Sequence, residues 1–204
     1  MADQPQPDAR VELLEKTSPY RGYFQVDRFE LKHQKHDGGW TPVLVRELFE
    51  RGHTVAVLPY DPVRDSVVLV EQFRIGAYAA GLEPWLTEAI AGMIDAGEEA
   101  EGVAHREALE EAGCTMTDME PIGTFVMTPG GSSETCAMFC GRVDSQGIGG
   151  IHGLDNEGED IRAMAVPLED ALRDVTEGRI ISAYAVIPLL WLSLNRTSLQ
   201  ARWT

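Results

Sequence analysis

Three glutamates lie close together in one short stretch, and their spacing constrains this chain more than any other feature. Glu107, Glu110 and Glu111 stand at positions i, i+3 and i+4, so a helix over residues 103–112 would place all three carboxylates on one face. Like charges at these spacings destabilise an isolated helix by roughly 0.2–0.5 kcal/mol per pair. The natural complement of such a face is a cation, and crowded carboxylate oxygens suit Mg²⁺ or Mn²⁺.

A simpler interpretation of these glutamates is a charged helix face in contact with water, and the surrounding sequence decides against it. A short Glu-rich motif by itself favours that interpretation. Here a longer pattern extends over residues 92–114, with glycine, glutamate, arginine or a small apolar residue at set positions. Those positions are Gly92, Glu98, Arg106, Glu107, Ala108, Glu110, Glu111, Gly113 and Cys114. The pattern resembles the Nudix box, the loop–helix–loop of the Nudix hydrolases.

Composition limits the classes of function to consider. Over 204 residues, 44% hydrophobic content is enough for one main domain with a small appendage. The formal net charge of −16 argues against binding to nucleic acid or to an anionic membrane, because both attract basic surfaces. We therefore expect no nucleic-acid or membrane partner, and an anionic substrate would need a metal ion and a few arginines.

The cysteines and the apolar runs indicate the compartment. The chain has 3 cysteines and no Cys-x-x-Cys pair, which fits a reducing environment better than a disulfide framework. Residues 1–10 are polar and contain no apolar stretch of the kind that directs export. The longest apolar run, residues 183–194, is interrupted by Pro188 and is too short to span a bilayer. The expected location is the cytoplasm.

The order of the predicted elements indicates an N-terminal sheet followed by a larger domain. Residues 23–33 and 40–49 are rich in β-formers and are separated by the turn signal at residues 36–39. They predict an antiparallel sheet. We accordingly divide the chain into an N-terminal sheet domain, residues 1–50, and a catalytic domain, residues 51–204.

Strands and helices alternate in the second of these domains. Strands are predicted over residues 54–60, 66–73, 122–127, 135–143 and 161–166, and helices over residues 103–112 and 168–175. The nearly continuous apolar character of the first two strands implies burial on both faces. Ser182 is positioned to cap a last helix, which Pro188 must kink or end. This order indicates a sheet covered by helices on both sides.

Further segments narrow the resemblance to one branch of the Nudix hydrolases. They are residues 71–74, 83–92, 128–134 and 150–161. These segments resemble the bacterial ADP-ribose pyrophosphatases, and Pro129 shortly after the box is typical of that subfamily. The resemblance implies an α/β Nudix fold, a mixed β-sheet sandwiched between α-helices, with an N-terminal antiparallel β-sheet. It also implies metal-dependent hydrolysis of ADP-ribose to AMP and ribose 5-phosphate, in a homodimer whose N-terminal sheets exchange across the interface.

The resemblance also implies roles for individual residues. The implied metal ligands are Glu98, Glu107, Glu111, Glu159 and Ala91 through its carbonyl. The implied general base for the attacking water is Glu157, with Glu110 and Glu134 as the next catalytic candidates. The implied substrate contacts are Arg74, Arg46, Gly130 and Tyr23. Arg74 would contact phosphate, and the ring of Tyr23, supplied by the partner subunit, would contact the adenosine. The implied cofactor is Mg²⁺, with Mn²⁺ as the alternative.

Several alternatives stay open at this point. Arg74 at a strand end is also placed to pair with a carboxylate, and Tyr23 suits core packing nearly as well as stacking on adenine. The enzyme could accept other ADP-sugars or NADH, or the chain could be a non-catalytic ADP-ribose sensor, although no helix-turn-helix accompanies it. A serine nucleophile at Ser132 or Ser133 with His152 lacks the Gly-x-Ser-x-Gly context. No P-loop motif is present.

Overall fold

The computed structural model describes residues 8–154 and 158–204. The strands in them are β1 (Val11–Arg21), β2 (Gln25–His33), β3 (Leu44–Glu50), β4 (Thr54–Asp61), β5 (Ser66–Phe73), β6 (Trp85–Glu88), β7 (Ile90–Met93), β8 (Met119–Val126), β9 (Thr135–Arg142), β10 (Gly149–His152) and β11 (Ile161–Pro167). The helices are α1 (Ile75–Ala79), α2 (Ala100–Ala112), α3 (Leu168–Thr176) and α4 (Ala183–Trp203). The chain divides into two compact units.

The first unit comprises the chain up to His53 together with Val126–Thr135. Its sheet is antiparallel in the order β1-β2-β3, which confirms the predicted N-terminal antiparallel sheet. The turn before β3 contains Gly38 and Gly39 at φ values of 90° and 74°, a backbone conformation that glycine adopts without strain. The sequence does not predict β1, because this strand is exposed along almost its whole length and so carries no buried apolar alternation.

The second unit, residues 54–125 and 136–204, is built on a mixed sheet. Its strand order is β10-β11-β5-β4-β9-β8, with β6 paired to β5 and β7 paired to β4. Strand β4 runs parallel to β9 and antiparallel to β5 and β7. Helix α2 packs on one face of the sheet, and α3 and α4 pack on the other. This arrangement confirms the predicted α/β class with a mixed sheet sandwiched between helices.

Strand β4 contributes to the hydrophobic core on both faces of this sheet. It is buried at every position, as its continuous apolar sequence predicts. Val55 and Val57 belong to the cluster that contains the buried face of α2. Leu58 and Tyr60 belong to the cluster formed with α3 and α4. Because side chains alternate between the two faces of a strand, one strand anchors both helix layers.

Helix α2 can approach the sheet closely because its inward face is small. Ala104, Ala108 and Ala112 on that face are buried. The helix ends at Gly113, which adopts the left-handed conformation at φ 62° and whose N–H donates to the Leu109 carbonyl at 3.0 Å. The small residue of the box, Ala108, therefore allows close packing of the helix on the sheet. The last glycine, Gly113, allows the backbone conformation that ends the helix.

The last helix is continuous through its proline. The sequence predicts that Pro188 kinks this helix or ends its first part, and α4 continues past Pro188 as one helix of 21 residues, so Pro188 does not end it. Pro188 removes one amide donor near the start of the helix, and buried side chains further along, such as Leu189, offset that loss. Ser182 occupies the N-cap position, as predicted, yet its hydroxyl makes no capping bond. It donates instead to Glu88.

Four short elements are also absent from the prediction. Helix α1 and strands β6, β7 and β10 have only 4 or 5 residues each, which is too short for a hydrophobic period to be visible. In the part of the chain that is described, no helix combines the length and apolar character that crossing a bilayer requires.

Candidate active site

The carboxylates of α2 differ in their exposure to solvent. Glu111 is 3% exposed, whereas the side chains of Glu107 and Glu110 are 13% and 30% exposed. A carboxylate as deeply buried as Glu111 loses most of its hydration and needs nearby compensation to remain an anion. The interpretation of these glutamates as a solvated helix face is therefore wrong.

Gly92 leaves the space that the Glu107 side chain occupies. A Cβ atom at Gly92 would lie 1.9 Å from Oε1 of Glu107 and 2.2 Å from its Cδ, far inside van der Waals contact. Gly92 lies in β7, which packs against α2. The first glycine of the box therefore allows the Glu107 carboxylate to lie directly against the strand backbone.

The backbone of Ala91 faces the other buried carboxylate. Its N–H donates to Oε2 of Glu111 at 3.3 Å. In an extended strand the N–H and C=O of one residue point to the same side, so the Ala91 carbonyl also points toward α2. One backbone carbonyl and the carboxylates of Glu107 and Glu111 thus lie along the seam between β7 and α2.

The pKa values of Glu111 and Glu107 are both raised above the ordinary value of a glutamate. Burial raises the pKa of Glu111 to about 8, and the negative charge of Glu107 adds to the rise. Burial likewise raises the pKa of Glu107 to about 7, although the Arg106 guanidinium opposes it. The charge of Glu159 contributes to the raised pKa of both. The three carboxylates share one region of negative potential, which a cation would relieve.

Arg106 supplies positive charge on the more exposed side of these carboxylates. Its Nη1 lies 2.9 Å from Oε1 of Glu107 and 3.0 Å from Oε2 of Glu110. Its Nε lies 3.9 Å from Oε1 of Glu98. The backbone N–H of Asp95 holds Glu98 from another side, at 2.9 Å. One guanidinium thus gathers three of the predicted site carboxylates.

Glu159 lies against the backbone of Gly153 and Leu154. The N–H of Leu154 donates to Oε2 of Glu159 at 3.1 Å. Gly153 has a φ of 102°, and a Cβ atom there would lie 2.7 Å from the Cβ of Glu159, so glycine at this position permits the close contact with Glu159. Glu157, the predicted general base, lies outside the described residues.

These residues fit a hard divalent cation. Across residues 8–154 and 158–204, no three acidic, histidine or cysteine side chains converge as a complete ligand set, and the Glu107 and Glu110 carboxylates are turned toward Arg106. The donors are nevertheless carboxylate oxygens and a backbone carbonyl, which Mg²⁺ and Mn²⁺ prefer. Arg106 compensates the charges of Glu107 and Glu110 but does not contact Glu111. A bound divalent cation would therefore stabilise the carboxylate cluster further.

Arg74, which follows the end of β5, forms an ion pair with a buried carboxylate. Its Nε lies 2.5 Å from Oε2 of Glu88, a carboxylate that is 4% exposed. Its charge also opposes the rise, due mainly to burial, in the pKa of Glu111. Arg74 therefore has a carboxylate partner and also lies close to the buried carboxylates, so its position is compatible with both interpretations of its role.

Two of the predicted adenosine contacts are exposed in the first unit. The ring of Tyr23 is 92% exposed and meets the ring of Phe24 edge-on, with 4.7 Å between centroids. The alternative that Tyr23 packs in the core of its own chain is therefore wrong. Arg46 is exposed as well, and its Nη1 donates to the Val45 carbonyl at 2.9 Å.

The other two predicted residues of the first unit lie in its second segment. Gly130 is in an exposed loop with open space where a Cβ atom would be. Glu134 is 6% exposed and is ion-paired with Arg51, with 3.3 Å between its Oε1 and the arginine Nη1. The predicted site residues are thus distributed over both compact units.

Two further residues of the site had no role in the sequence-based prediction. Glu88 is buried and is the only charged residue in the largely apolar segment 85–91. A lone charge in such a segment is a signal that could have identified it. Arg106 fills a position of the box, and its spacing of four from Glu110 predicts the ion pair that the structure shows.

We expect Glu111→Gln to stabilise the metal-free protein at pH 8. The pKa of Glu111 is raised from 4.5 to about 8 on folding, so the folded chain holds an additional proton in that window and its stability falls as the pH rises through it. Removing the charge should raise the free energy of unfolding at pH 8 by about 1–3 kcal/mol, and by much less at pH 5. Urea unfolding of chelator-treated protein at the two pH values provides the measurement.

Glu101→Gln is the matched control for this experiment. Glu101 lies on the same helix and is exposed, so its replacement should change stability little at either pH. Addition of Mg²⁺ should stabilise the wild type more than Glu111→Gln. A Glu111→Gln variant that is less stable than the wild type at pH 8 would show that this carboxylate is structural.

Comparison with known proteins relates these features to a family. Residues 50–185 match the family model described as the NUDIX domain. The chain is 46% identical over 193 residues to the ADP-ribose pyrophosphatase of Escherichia coli (strain K12), covering 95% of this chain and 92% of that protein. It is 43% identical over 196 residues to the ADP-ribose pyrophosphatase of Haemophilus influenzae, covering 95% and 90%.

A solved structure supports the same fold. The crystal structure of an ADP compounds hydrolase superposes with a TM-score of 0.70 over 97% of this chain and 98% of that one, at 22% identity. The family assignment made from the box is confirmed by the family model and by both relatives. The chain belongs to the Nudix hydrolase family.

Proposed function

We propose that this Nudix enzyme hydrolyses the pyrophosphate of ADP-ribose, releasing AMP and ribose 5-phosphate, with a divalent cation. The observation that carries the proposal is the pair formed by the buried carboxylate of Glu111 and the partly buried carboxylate of Glu107, at the seam between α2 and β7. Cleavage of a pyrophosphate requires mainly charge neutralisation and an oriented water. The relatives at 46% and 43% identity are named ADP-ribose pyrophosphatases, which supports ADP-ribose as the substrate.

The cation would be held by oxygen donors of the second unit. They are Glu98, Glu107, Glu111, Glu159 and the carbonyl of Ala91. Nudix hydrolases generally use divalent metal ions, and we propose Mg²⁺, with Mn²⁺ as the alternative, because every donor is a hard oxygen. When bound, the cation supplies positive charge beside the pyrophosphate oxygens. The chain itself fixes the donors, through the space at Gly92 and the N–H of Ala91.

We assign activation of the attacking water to Glu157, which stands two residues before Glu159 in the sequence. The two other candidates are already engaged by guanidinium groups. Glu110 contacts Arg106 at 3.0 Å, and Glu134 contacts Arg51 at 3.3 Å. These ion pairs give both carboxylates a structural partner, and the resemblance to the ADP-ribose pyrophosphatases favours Glu157.

We assign substrate recognition to Arg74 and to three residues of the first unit. Arg74 would contact phosphate, since its guanidinium lies near the buried carboxylates. Tyr23 offers an exposed ring for stacking on adenine. Arg46 and Gly130 would complete the adenosine surface, and both are exposed.

We further propose a homodimer in which the N-terminal sheets exchange and Tyr23 acts in the partner's site. The first unit exposes many large apolar side chains, and burial of such side chains against a partner would be favourable. They include Leu13, Leu14, Tyr20, Tyr23, Phe24, Trp40, Val43 and Val45. An exchanged sheet would cover part of this surface.

The cytoplasm is the proposed location of the reaction. Cys114, Cys136 and Cys140 are all free and buried. Free thiols fit a reducing compartment.

The substrate proposal is tested with a panel of ADP-ribose, other ADP-sugars, NADH and a guanosine-diphosphate sugar, with and without Mg²⁺. We expect AMP and ribose 5-phosphate from ADP-ribose, with kcat/KM at least about tenfold above the other compounds, and no turnover after chelation. Glu107→Gln should lower kcat by about 10²-fold or more, as loss of an electrostatic stabiliser does, and Glu101→Gln should not. Tight binding of ADP-ribose without turnover would identify a sensor.

The roles of Glu157 and Glu159 are separable by titrating Mg²⁺ at saturating ADP-ribose. Glu157→Gln should lower kcat by about 10² to 10⁴, the usual cost of losing a general base, with unchanged Mg²⁺ dependence. Glu159→Gln should instead raise the Mg²⁺ concentration needed for half-maximal rate. If Glu157→Gln keeps a near-normal kcat, the general base is instead Glu110 or Glu134.

Exchange of the N-terminal sheets is tested by mixing two inactive variants. Glu107→Gln removes the metal site, and Tyr23→Ala removes the ring that the partner subunit is proposed to supply. If each site combines residues of two subunits, a heterodimer has one intact site, and equal mixing should restore roughly a quarter of the wild-type activity. A mixture that stays inactive although heterodimers form, as shown by native mass spectrometry, would contradict the exchange.

A further inference from the structure

We infer that Glu88 is a positioning residue, which orients Arg74 so that its free edge faces the pyrophosphate of the substrate. The inference rests on the proposed function, because it assumes a phosphate contact for Arg74. Glu88 belongs to no part of the metal-binding or water-activating set described above. It acts through Arg74.

Glu88 is a buried carboxylate with two partners. Its Oε2 lies 2.5 Å from Nε of Arg74, and its Oε1 accepts a hydrogen bond from the hydroxyl of Ser182. Glu88 is 4% exposed, so it has lost most of its hydration and depends on these partners. The Arg74 side chain, by contrast, is 40% exposed. The ion pair therefore has a fixed end at Glu88 and an open end at Arg74.

The contact uses one side of the Arg74 guanidinium. Glu88 engages Nε, and no acceptor among the residues that the structure describes engages Nη1 or Nη2. A guanidinium binds phosphate best through two parallel N–H bonds from one planar edge. With the Nε side taken, the edge formed by Nη1 and Nη2 is the one left for phosphate.

Strand register indicates that the pair lies on the side of the sheet that carries α2. Glu88 is opposite Val70 in the β5–β6 pairing, and side chains of opposite residues in antiparallel strands lie on the same face. Val70 belongs to the core cluster that contains the buried face of α2. The Arg74 charge also acts on Glu111, where it opposes the effect of burial on the pKa. The open edge is therefore near the carboxylates that the proposed reaction uses.

The second partner connects this pair to α4. Ser182 stands at the N-cap of α4 but makes no capping bond. Its hydroxyl therefore does not satisfy the first turn of the helix, as an N-cap serine usually does. It fixes the second oxygen of Glu88, so the start of α4 helps to hold the carboxylate that holds Arg74.

A purely structural ion pair would make different predictions from a positioning residue. If Glu88 orients Arg74, loss of Glu88 affects substrate binding only while Arg74 is present. If the pair serves folding alone, loss of Glu88 lowers Tm and the yield of active protein, and the folded variant keeps the wild-type KM. A double-mutant cycle separates the two roles.

The experiment combines Glu88→Gln and Arg74→Ala in the full-length protein, assayed for ADP-ribose hydrolysis with Mg²⁺. We expect Glu88→Gln to raise KM about tenfold and Arg74→Ala about tenfold to hundredfold, the range for hydrogen bonds to charged groups. The double variant should be within about twofold of Arg74→Ala. Ser182→Ala should raise KM less than Glu88→Gln does, because one oxygen of Glu88 keeps its partner.

Two further readouts do not depend on turnover. The Kd of ADP-ribose, measured by calorimetry in chelator, should weaken in Glu88→Gln by a factor similar to that in KM. Arg74→Ala leaves the buried carboxylate without its cation and should lower Tm, and adding Glu88→Gln should restore part of that loss. If Arg74→Ala does not fold, Arg74→Lys replaces it, because lysine keeps the charge and lacks the planar edge.

Glu83→Gln is the matched control, because Glu83 is an exposed carboxylate in the same segment, and it should keep the wild-type KM. A folded Glu88→Gln variant with wild-type KM, or additive effects of the two substitutions, would overturn the inference while the wild type still hydrolyses ADP-ribose. Failure of the wild type to bind or hydrolyse ADP-ribose would overturn the proposed function together with the inference.

Discussion

The repulsion between buried Glu111 and partly buried Glu107 is the constraint on which the rest of the site depends. Burial raises the pKa of Glu111 to about 8 and that of Glu107 to about 7, so holding both as anions opposes folding. The surroundings compensate in part: Gly92 makes room, the Ala91 N–H donates to Glu111, and Arg106 contacts the outer oxygens. A divalent cation would complete the compensation.

The sequence predicts the parts of this site that depend on local spacing. The helix face of Glu107, Glu110 and Glu111 follows from their i, i+3 and i+4 positions, and burial of β4 follows from its continuous apolar run. Glu88 could not be placed this way, because its partners lie 14 and 94 residues away and meet it only through strand pairing and helix docking. The sequence also left open whether Pro188 ends the first part of the last helix, and it does not, since packing of α4 overrides the local preference.

The proposed roles divide the chain by chemistry. Every proposed metal ligand, with Arg74 and Glu88, lies in the second unit, while Tyr23, Arg46, Gly130 and Glu134 lie in the first. The first group contains buried charges that strand and helix contacts hold in place, as reaction at phosphorus requires. The second group includes an exposed aromatic ring and an exposed guanidinium, groups that suit recognition of a nucleoside.

One short segment sets the geometry of both the cation site and the phosphate-binding arginine. Strands β6 and β7 follow each other within residues 85–93, and they pair with β5 and β4 respectively. Glu88 on the first orients Arg74, and Ala91 and Gly92 on the second accommodate the α2 carboxylates. Because Ser182 ties the same segment to α4, a shift at the start of that helix would move Arg74 relative to the buried carboxylates. In the proposed enzyme such a shift would alter substrate binding without removing any group that touches the substrate.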